Sequence, residues 1–554
     1  MTQIAEIADH YVQRLAELSP NAATQLGIPG FDDRLSDFSP DGFEALQSHR
    51  QDTLQALDAA AIETENDRIA RAVMREQLAN QSELHDAGDH FRGLAILNSP
   101  LQSIRSVFDQ MPRASAADWE TIATRLGHIP QALAGYRRTL DTGAERRLVP
   151  AQRQVSECAT QCDTWSNGET GFFAGVADAC DKADPAPGLA TRVRDAATAA
   201  AAAYVDMGRY LREVLYTNAT ERDAVGPDRY GMAARAFSGA TLDLERTYAW
   251  GWDQLYGVEA EMRATAGKVK PGATIAAAVD LLESDLARCI QGVEPFRNWM
   301  QEFQDRTIAE LNGKHFDIPG PIRKIEAMIA PPGGALAMYY TGPSEDFSRP
   351  GRTWYPTGGK TRFPLWGEVS IAYHEGVPGH HLERASVKYQ AETLTRYQRL
   401  FGTSGYVEGW GLYAERLMAE LGYLEKPDYY LGMLRAQALR SVRVVVDIGM
   451  HLELEIPATE PDLAGKRWTP DLGNAFTATR SQFPPDFTAS EVTRYLGMPG
   501  QAISYKIGER AWLESREAVK RRRGAAFDLK QFHADAFRLG PMGLDQMRRE
   551  MASL

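Results

Sequence analysis

The chain of 554 residues contains little cysteine, no long apolar run and no excess of positive charge. Four cysteines in this length favour a reducing compartment and free thiols. No stretch approaches the roughly 20 apolar residues that a membrane-spanning helix needs. The net charge of −13 argues against a nucleic-acid partner. The opening segment carries Glu6, Asp9 and Arg14 where a signal peptide needs an apolar core. We therefore predict a cytoplasmic protein without a membrane partner.

Helical periodicity is what the sequence has in abundance. Apolar residues recur at helical spacing and predict helices over 4–18, 43–62, 67–85, 117–139, 190–216, 275–291, 293–311, 441–455 and 501–523. The stretch 319–363 is dense in glycine and proline and is predicted to form loops or strands. The predicted fold is mainly α, a large two-lobed body of many helices with a small β or loop segment near the active-site cleft. Its regions are 1–225 and 226–554.

The segment 373–381, Tyr-His-Glu-Gly-Val-Pro-Gly-His-His, gathers three of the eleven histidines. Neutral imidazoles bind zinc, and a carboxylate beside one of them can take a proton from metal-bound water. The familiar His-Glu-x-x-His pattern fails here because Pro378 stands at its last position. Proline and glycine break helices, so we predict a helix through Glu375, a break over 376–379 and a resumed turn.

The residues by themselves leave the second histidine open. On an unbroken helix His380 would point about 120° away from His374, whereas His381 would lie within about 20° of it. The break at 376–379 leaves both in reach. A third ligand is expected from Glu408, 34 residues beyond His374 and flanked by glycines that allow close approach. Glu415, seven residues further along the same helix face, could hold a ligand by hydrogen bonding.

These two motifs, H-E-G-V-P-G-H-H at 374–381 and E-G-W-G-L-Y at 408–413, resemble those of the domain-of-unknown-function 885 family. Further matching segments are D-D-R-L-S-D-F-S-P at 32–40, R-P-G at 349–351, R-V-V-V-D-I-G-M-H at 443–451, P-G-Q-A-I-S-Y-K-I-G at 499–508 and F-H at 532–533. The resemblance implies a mostly α-helical, zinc-dependent, peptidase-like protein related in plan to the gluzincins. It selects His380 over His381. One departure is Glu383, where the family usually has glutamine.

A looser analogy to the angiotensin-converting-enzyme type of gluzincin concerns residues later in the chain. There a histidine and a tyrosine steady the transition state and a lysine holds the substrate carboxylate, and His451, Tyr505 and Lys506 follow in that order here. Arg440 and Arg443, three residues apart, form a second possible carboxylate clamp.

We therefore predict a zinc-dependent hydrolase of peptide or related amide bonds. His374, His380 and Glu408 would hold one zinc ion, and Glu375 would act as general base. The remaining candidates are His451 and Tyr505 for catalysis and Lys506, Arg443 and Tyr340 for binding a small peptide or amide substrate. The alternative is a non-catalytic helical protein that keeps the metal for structure, but such a site has no need of Glu375.

Overall fold

The computed structural model describes residues 1–183, 186–330 and 337–554. These residues are mainly α-helical, as predicted, with a few short strands. The chain divides into two compact units, one formed by 1–62 and 78–223 and the other by 63–77 and 224–554. The sequence-based division at 225 and 226 did not foresee that 63–77 joins the second unit. Within the described ranges, no helix combines the length and apolar character required to cross a membrane.

The first unit is a bundle of helices around α10. Its helices are α1 (Gln3–Leu18), α2 (Pro20–Leu26), α3 (Pro40–Ala59), α4 (Glu65–Asp86, which belongs to this unit from Leu78), α5 (Pro100–Ser106), α6 (Ala116–Gly127), α7 (Ile129–Glu145), α8 (Gln152–Ser166), α9 (Phe172–Lys182), α10 (Pro187–Tyr210) and α11 (Tyr216–Asn218). Helix α10 packs against α6, α8 and α9. Trp119, Tyr136, Trp165 and Tyr204 lie in the apolar core of this unit.

Three predicted helices are divided or cut short in the structure, and the helix predicted over 441–455 begins earlier, at Pro427. The helix predicted over 117–139 is two, because Pro130 stands in the first turn of α7 and cannot donate to a preceding turn. The helix predicted over 190–216 is α10 followed by a π-helical stretch, Leu211–Leu215, and the short α11. The helix predicted over 275–291 ends at Ser284, and its last three residues form a strand.

The second unit carries every candidate site residue. Its helices are the first turns of α4, α12 (Gly226–Ser238), α13 (Leu244–Val269), α14 (Ile275–Ser284), α15 (Val293–Leu311), α16 (Leu365–Glu375), α17 (His380–Tyr389), α18 (Arg396–Leu400), α19 (Ser404–Glu420), α20 (Pro427–Leu452), α21 (Pro470–Ser481), α22 (Pro485–Gly497), α23 (Ser504–Arg523), α24 (Leu529–Leu539) and α25 (Leu544–Met551). Helix α20 is continuously buried over 436–451 and packs against α13, α16 and α21. Its apolar residues Val442, Val445 and Ile448 belong to the core of this unit.

Two small sheets lie in the second unit. Strand β1 (Cys289–Gln291) pairs antiparallel with β5 (Arg362–Pro364). Strands β2 (Ile325–Ile329) and β3 (Tyr339–Thr341) flank β4 (Gly351–Tyr355), which runs parallel to β2 and antiparallel to β3. The glycine- and proline-dense stretch therefore contains strands, as the sequence predicted. Strand β5 leads directly into α16, the helix that ends at the histidine motif.

Candidate metal centre

The histidine motif is built on a broken helix, which confirms the prediction. Helix α16 ends at Glu375 and α17 begins at His380. The backbone folds so tightly between them that a Cβ on Gly379 would lie 1.9 Å from the carbonyl oxygen of His374. A side chain at Gly379 is therefore excluded, and the close turn brings the start of α17 back to the end of α16.

Helix α19 holds this break from the other side. The indole Nε1 of Trp410 donates to the carbonyl oxygens of Pro378, at 2.9 Å, and Gly379, at 3.2 Å. Trp410 is fully buried, and its ring packs edge-on to that of Trp512. The tryptophan of the second motif thus fixes the backbone of the first.

His374, His380 and Glu408 converge in the folded chain. The Nε2 atoms of His374 and of His380 each lie 3.4 Å from Oε2 of Glu408. One candidate ligand atom from each residue falls within 4.8 Å of those from the other two. The two imidazole rings stand nearly perpendicular, with centroids 4.6 Å apart. The histidines are buried and the Glu408 side chain is 21% exposed, so the cluster opens toward solvent on the side of Glu408.

A buried carboxylate orients His374. Nδ1 of His374 donates to Oε1 of Glu415 at 2.8 Å, and the Ser370 hydroxyl donates to the other oxygen of Glu415 at 2.5 Å. When Nδ1 carries the proton, the Nε2 lone pair faces the carboxylate of Glu408. Two acceptors facing each other repel unless a proton or a cation stands between them.

The pKa values of His374 and Glu408 also indicate that the cluster stabilises a cation. Burial lowers the pKa of His374, but its hydrogen bonds to Glu408 and Glu415 raise it to a net value of about 9. Burial raises the pKa of Glu408, yet the nearby His380 and His374 hold it well below the ordinary range. A cation is therefore stabilised among these groups, and binding a metal there would release the proton from His374.

The donor set fits zinc. Tetrahedral bonds of about 2.0–2.1 Å place neighbouring ligand atoms about 3.4 Å apart, which matches both distances from Glu408 to the histidines. Two histidines and one glutamate leave a fourth position for water, the arrangement of catalytic rather than structural zinc sites. The contact between His374 and Glu415 is the carboxylate hydrogen bond that metal-binding histidines usually make.

Glycines let the supporting helices approach the cluster. A Cβ on Gly411 would lie 2.6–2.9 Å from three atoms of the His374 ring, so this ring packs against the bare backbone of α19. Gly409 faces α23 instead, where its Cβ would lie 2.4 Å from the Cα of Gly508. The glycines beside Glu408 therefore serve helix packing and seat a histidine, rather than only making room for a metal.

Glu375 lies at the C-terminal end of α16, next in sequence to His374. It is 8% exposed, and its carboxylate makes no hydrogen bond with any residue of the described part of the chain. Burial raises its pKa, and the charge of His380 opposes that rise. A carboxylate with free lone pairs and a raised pKa is suited to accept a proton.

His381 is directed away from the cluster. Its Nε2 donates to the carbonyl oxygen of Ile322 at 2.6 Å, and its Nδ1 accepts from the Tyr340 hydroxyl at 3.0 Å. Burial lowers the pKa of His381 to about 4, so the ring is neutral. Both nitrogens are occupied, which leaves His380 as the second histidine of the cluster. Tyr340, predicted to bind substrate, has its hydroxyl engaged by His381.

Tyr505 is the one later candidate that contacts the cluster. Its ring stacks near that of His374, with centroids 6.2 Å apart. Its hydroxyl forms no hydrogen bond with any described residue. Burial raises the pKa of Tyr505, and the charge of Glu408 raises it further, so the phenol stays protonated and able to donate. Arg443 lies beside it, with its guanidinium 4.6 Å from the ring centroid.

The other two residues of the analogy are engaged elsewhere. The Lys506 ammonium donates to Glu509 at 2.6 Å and to Gln437 at 2.7 Å, and all three side chains are buried. Nε2 of His451 donates to the carbonyl oxygen of Tyr495 at 3.0 Å in the apolar core. The structure therefore does not support a substrate-binding Lys506 or a catalytic His451. Adjacent helical side chains diverge by about 100°, which is why Lys506 turns away while Tyr505 faces the site.

Sequence reasoning missed Ser370, and it named Glu383 without its surroundings. Ser370 holds the distal oxygen of Glu415, and its position four residues before His374 on the same helix face was the available signal. Glu383 is fully buried, and neither oxygen has a hydrogen-bond partner among the described residues. Burial raises the pKa of Glu383, so the extra negative charge expected near the metal is suppressed.

The fold and the site define a mainly α protein with a two-histidine, one-glutamate cluster suited to a metal. The chain belongs to the family described as bacterial protein of unknown function (DUF885), whose model matches residues 20–551. The fold is shared with a "putative lipoprotein" from Colwellia psychrerythraea, at a TM-score of 0.85 and 21% identity over 100% of this chain and 98% of that one. A "putative lipoprotein of unknown function" from Shewanella oneidensis gives a TM-score of 0.71 and 17% identity over 99% of both chains. No curated protein matches the chain significantly.

Proposed function

We propose that the protein is a zinc-dependent hydrolase of peptide or related amide bonds, related in plan to the gluzincins. The observation that carries this proposal is the convergence of His374, His380 and Glu408 with an unengaged carboxylate, Glu375, on the residue next to a ligand. A purely structural metal site gains nothing from a buried carboxylate that forms no hydrogen bond with the described residues.

The residues of the chain divide the chemistry among them. Zinc, when bound, supplies a water of lowered pKa and polarises the scissile carbonyl. Glu375 accepts the proton of the attacking water and later gives it to the leaving amine. Tyr505 donates its phenolic hydrogen to the oxygen on which negative charge develops. Glu415 and Ser370 keep Nε2 of His374 directed into the cluster.

The decisive experiment combines metal analysis with an activity screen. We expect close to one zinc per purified chain, and hydrolysis of members of a panel of short peptides and N-acyl amino acids that is abolished by chelation and restored by zinc. Glu375→Gln should keep the zinc and lose hydrolysis by at least the roughly 10²–10⁴-fold typical of a missing general base. A Glu375→Gln protein with full zinc and near-wild-type turnover would disprove the mechanism.

We also propose a cytoplasmic location, because all four cysteines carry free thiols, which is typical of a reducing compartment. Both structural neighbours are described as putative lipoproteins. Fractionation of the native host followed by immunodetection therefore tests this location, and recovery of the protein with the membranes would refute it.

A further inference from the structure

Two arginines of α20 stand beside the candidate catalytic cluster. Arg440 and Arg443 are separated by about one helical turn, and each guanidinium lies over the ring of Tyr505, at 5.5 Å and 4.6 Å from its centroid. The same ring also stacks near that of His374, at 6.2 Å between centroids. Tyr505 thus connects the two guanidinium groups to the cluster.

Both arginines are buried, and both keep donors without partners in the part of the chain that the structure describes. Arg440 is 7% exposed. Among the described residues its Nε has no hydrogen-bond partner, and the one hydrogen bond of its side chain runs to the carbonyl oxygen of Ala436, at 3.4 Å. Arg443 is 5% exposed, and its Nη1 has no hydrogen-bond partner within 1–183, 186–330 and 337–554. Buried N–H groups without partners are uncommon and call for a specific explanation.

Hydrogen bonds hold the Arg443 guanidinium in place, but the arginines around it outnumber the carboxylates that pair with them. Its Nε donates to the Tyr495 hydroxyl at 2.9 Å and its Nη2 to Glu491 at 2.5 Å. Glu491 also pairs with Arg494, at 2.8 Å, so one carboxylate serves two guanidinium groups. Arg440 has no ion pair within the described part of the chain.

The carboxylates of the cluster do not neutralise Arg440 by contact. Its charge is near enough to lower the pKa of both Glu375 and Glu415, but neither lies in an ion pair with it. Glu415 is already occupied by His374 and Ser370. The unpartnered donors of Arg440 and Arg443 therefore remain available to an anion that enters beside Tyr505.

We propose that Arg440 and Arg443 bind the free C-terminal carboxylate of the substrate, which makes the protein specific for short peptides or N-acyl amino acids cleaved close to that end. The proposal rests on the proposed hydrolase function. Planar guanidinium groups with fixed, parallel donors match the geometry of a carboxylate. The centroid of the Tyr505 ring lies 6.2 Å from that of His374 and 4.6 Å from the guanidinium of Arg443. A carboxylate bound there therefore lies within about three extended residues of the cluster, at about 3.4 Å per residue.

A matched pair of peptide pools tests this assignment. One pool contains N-acetylated tripeptides with a free C-terminus, and the other contains the same peptides as C-terminal amides. Zinc-loaded wild type should cleave the acids with a kcat/KM on the order of 10²-fold or more above that of the amides, measured by mass spectrometry. In Arg440→Gln this ratio should fall close to one, and Arg440→Lys should recover only part of it.

Arg435→Gln is the control for losing a stacked arginine from the same helix. Its guanidinium lies 4.0 Å from the Trp366 ring centroid and, unlike Arg440, is not stacked on Tyr505, so the acid-to-amide ratio should stay that of the wild type. Equal cleavage of acids and amides by the wild type would overturn the carboxylate site and leave the hydrolase standing. An equal loss on both pools in Arg440→Gln would overturn it in favour of a role in the reaction or the fold.

Binding without turnover separates the two proposals. Zinc-loaded Glu375→Gln should bind the peptides with a free C-terminus in preference to their amides, measured on the peptides that elute with the protein in size exclusion. The double variant Glu375→Gln/Arg440→Gln should show no such preference. Preferential retention of acids by a protein whose wild type hydrolyses neither pool would uphold the carboxylate site and refute the hydrolase. If the protein neither retains acids preferentially nor hydrolyses either pool, both proposals are refuted.

Discussion

Nδ1 of His374 lies 2.8 Å from a carboxylate oxygen of Glu415, and neither side chain is more than 2% exposed. This contact keeps a proton on Nδ1 of His374 and therefore directs Nε2 toward Glu408 and His380. The Ser370 hydroxyl holds the other oxygen of Glu415, so the orientation of the ring does not depend on solvent.

Glu415→Gln should weaken zinc binding by about 10–100-fold, the usual effect of losing a carboxylate behind a metal-binding histidine. The amide keeps the size of the carboxylate but not its charge. The measurement is competition for zinc with a chromophoric chelator. Glu420→Gln is the control, since Glu420 is 47% exposed near the end of the same helix. Equal zinc affinities for Glu415→Gln and the wild type would mean that His374 needs no such support.

His380→Ala and His381→Ala should differ in kind. His380→Ala removes a ligand and should lose zinc on dialysis. His381→Ala should keep the zinc but unfold at a lower temperature, because it deletes the buried hydrogen bonds to Ile322 and Tyr340. The zinc content of both variants after dialysis and the thermal unfolding of their apoproteins separate the two effects. Loss of zinc in His381→Ala together with full zinc in His380→Ala would reverse the assignment.

Gly411→Ala should displace the His374 ring. The new methyl group would lie 2.6 Å from the nearest ring atom, and the hydrogen bond to Glu415 holds the ring in its place. We expect zinc affinity to fall by about 10-fold or more, as with other disturbances of a ligand's orientation. Gly257→Ala is the control, because this exposed position of α13 has open space around it, and alanine there should stabilise the helix by roughly 0.5–1 kcal/mol. An unchanged zinc affinity in Gly411→Ala would show that the ring can shift without cost.

Lys506→Ala should affect stability rather than substrate preference. Lys506 and Glu509 form an ion pair with both side chains 4% exposed, and breaking such a pair strands a buried charge at a cost of about 3–5 kcal/mol. Urea unfolding measures this loss, and adding Glu509→Gln should recover part of it. Lys520→Ala, at the exposed end of the same helix, is the control. A stable Lys506→Ala protein that has lost its preference for free carboxylates would restore the role expected from sequence.

The parts of the site that follow from short stretches of sequence were predictable. Pro378 with Gly376 and Gly379 indicated the helix break, because these residues limit the backbone whatever surrounds them. The spacing of Glu408 and Glu415 placed them on one face of a helix. The prediction that His374, His380 and Glu408 bind zinc stays a prediction, although the chain brings them together.

The partners of buried side chains depended on the tertiary structure. His380 and His381 are neighbours in sequence, and only the carbonyl of Ile322 and the hydroxyl of Tyr340 determine which of them is free to face Glu408. Likewise, Lys506 was expected at the substrate, but Glu509 and Gln437 bind its ammonium group.

The sequence by itself therefore determined the helical fold, the break in the motif and the residues able to hold a metal, since local backbone sterics and helical periodicity act within a few residues. The tertiary structure decided which nitrogen faces the cluster, which glycine seats the His374 ring and which arginine donors lack partners among the described residues beside Tyr505. These features depend on groups distant in the chain, whose approach is set by the packing of α16, α19, α20 and α23.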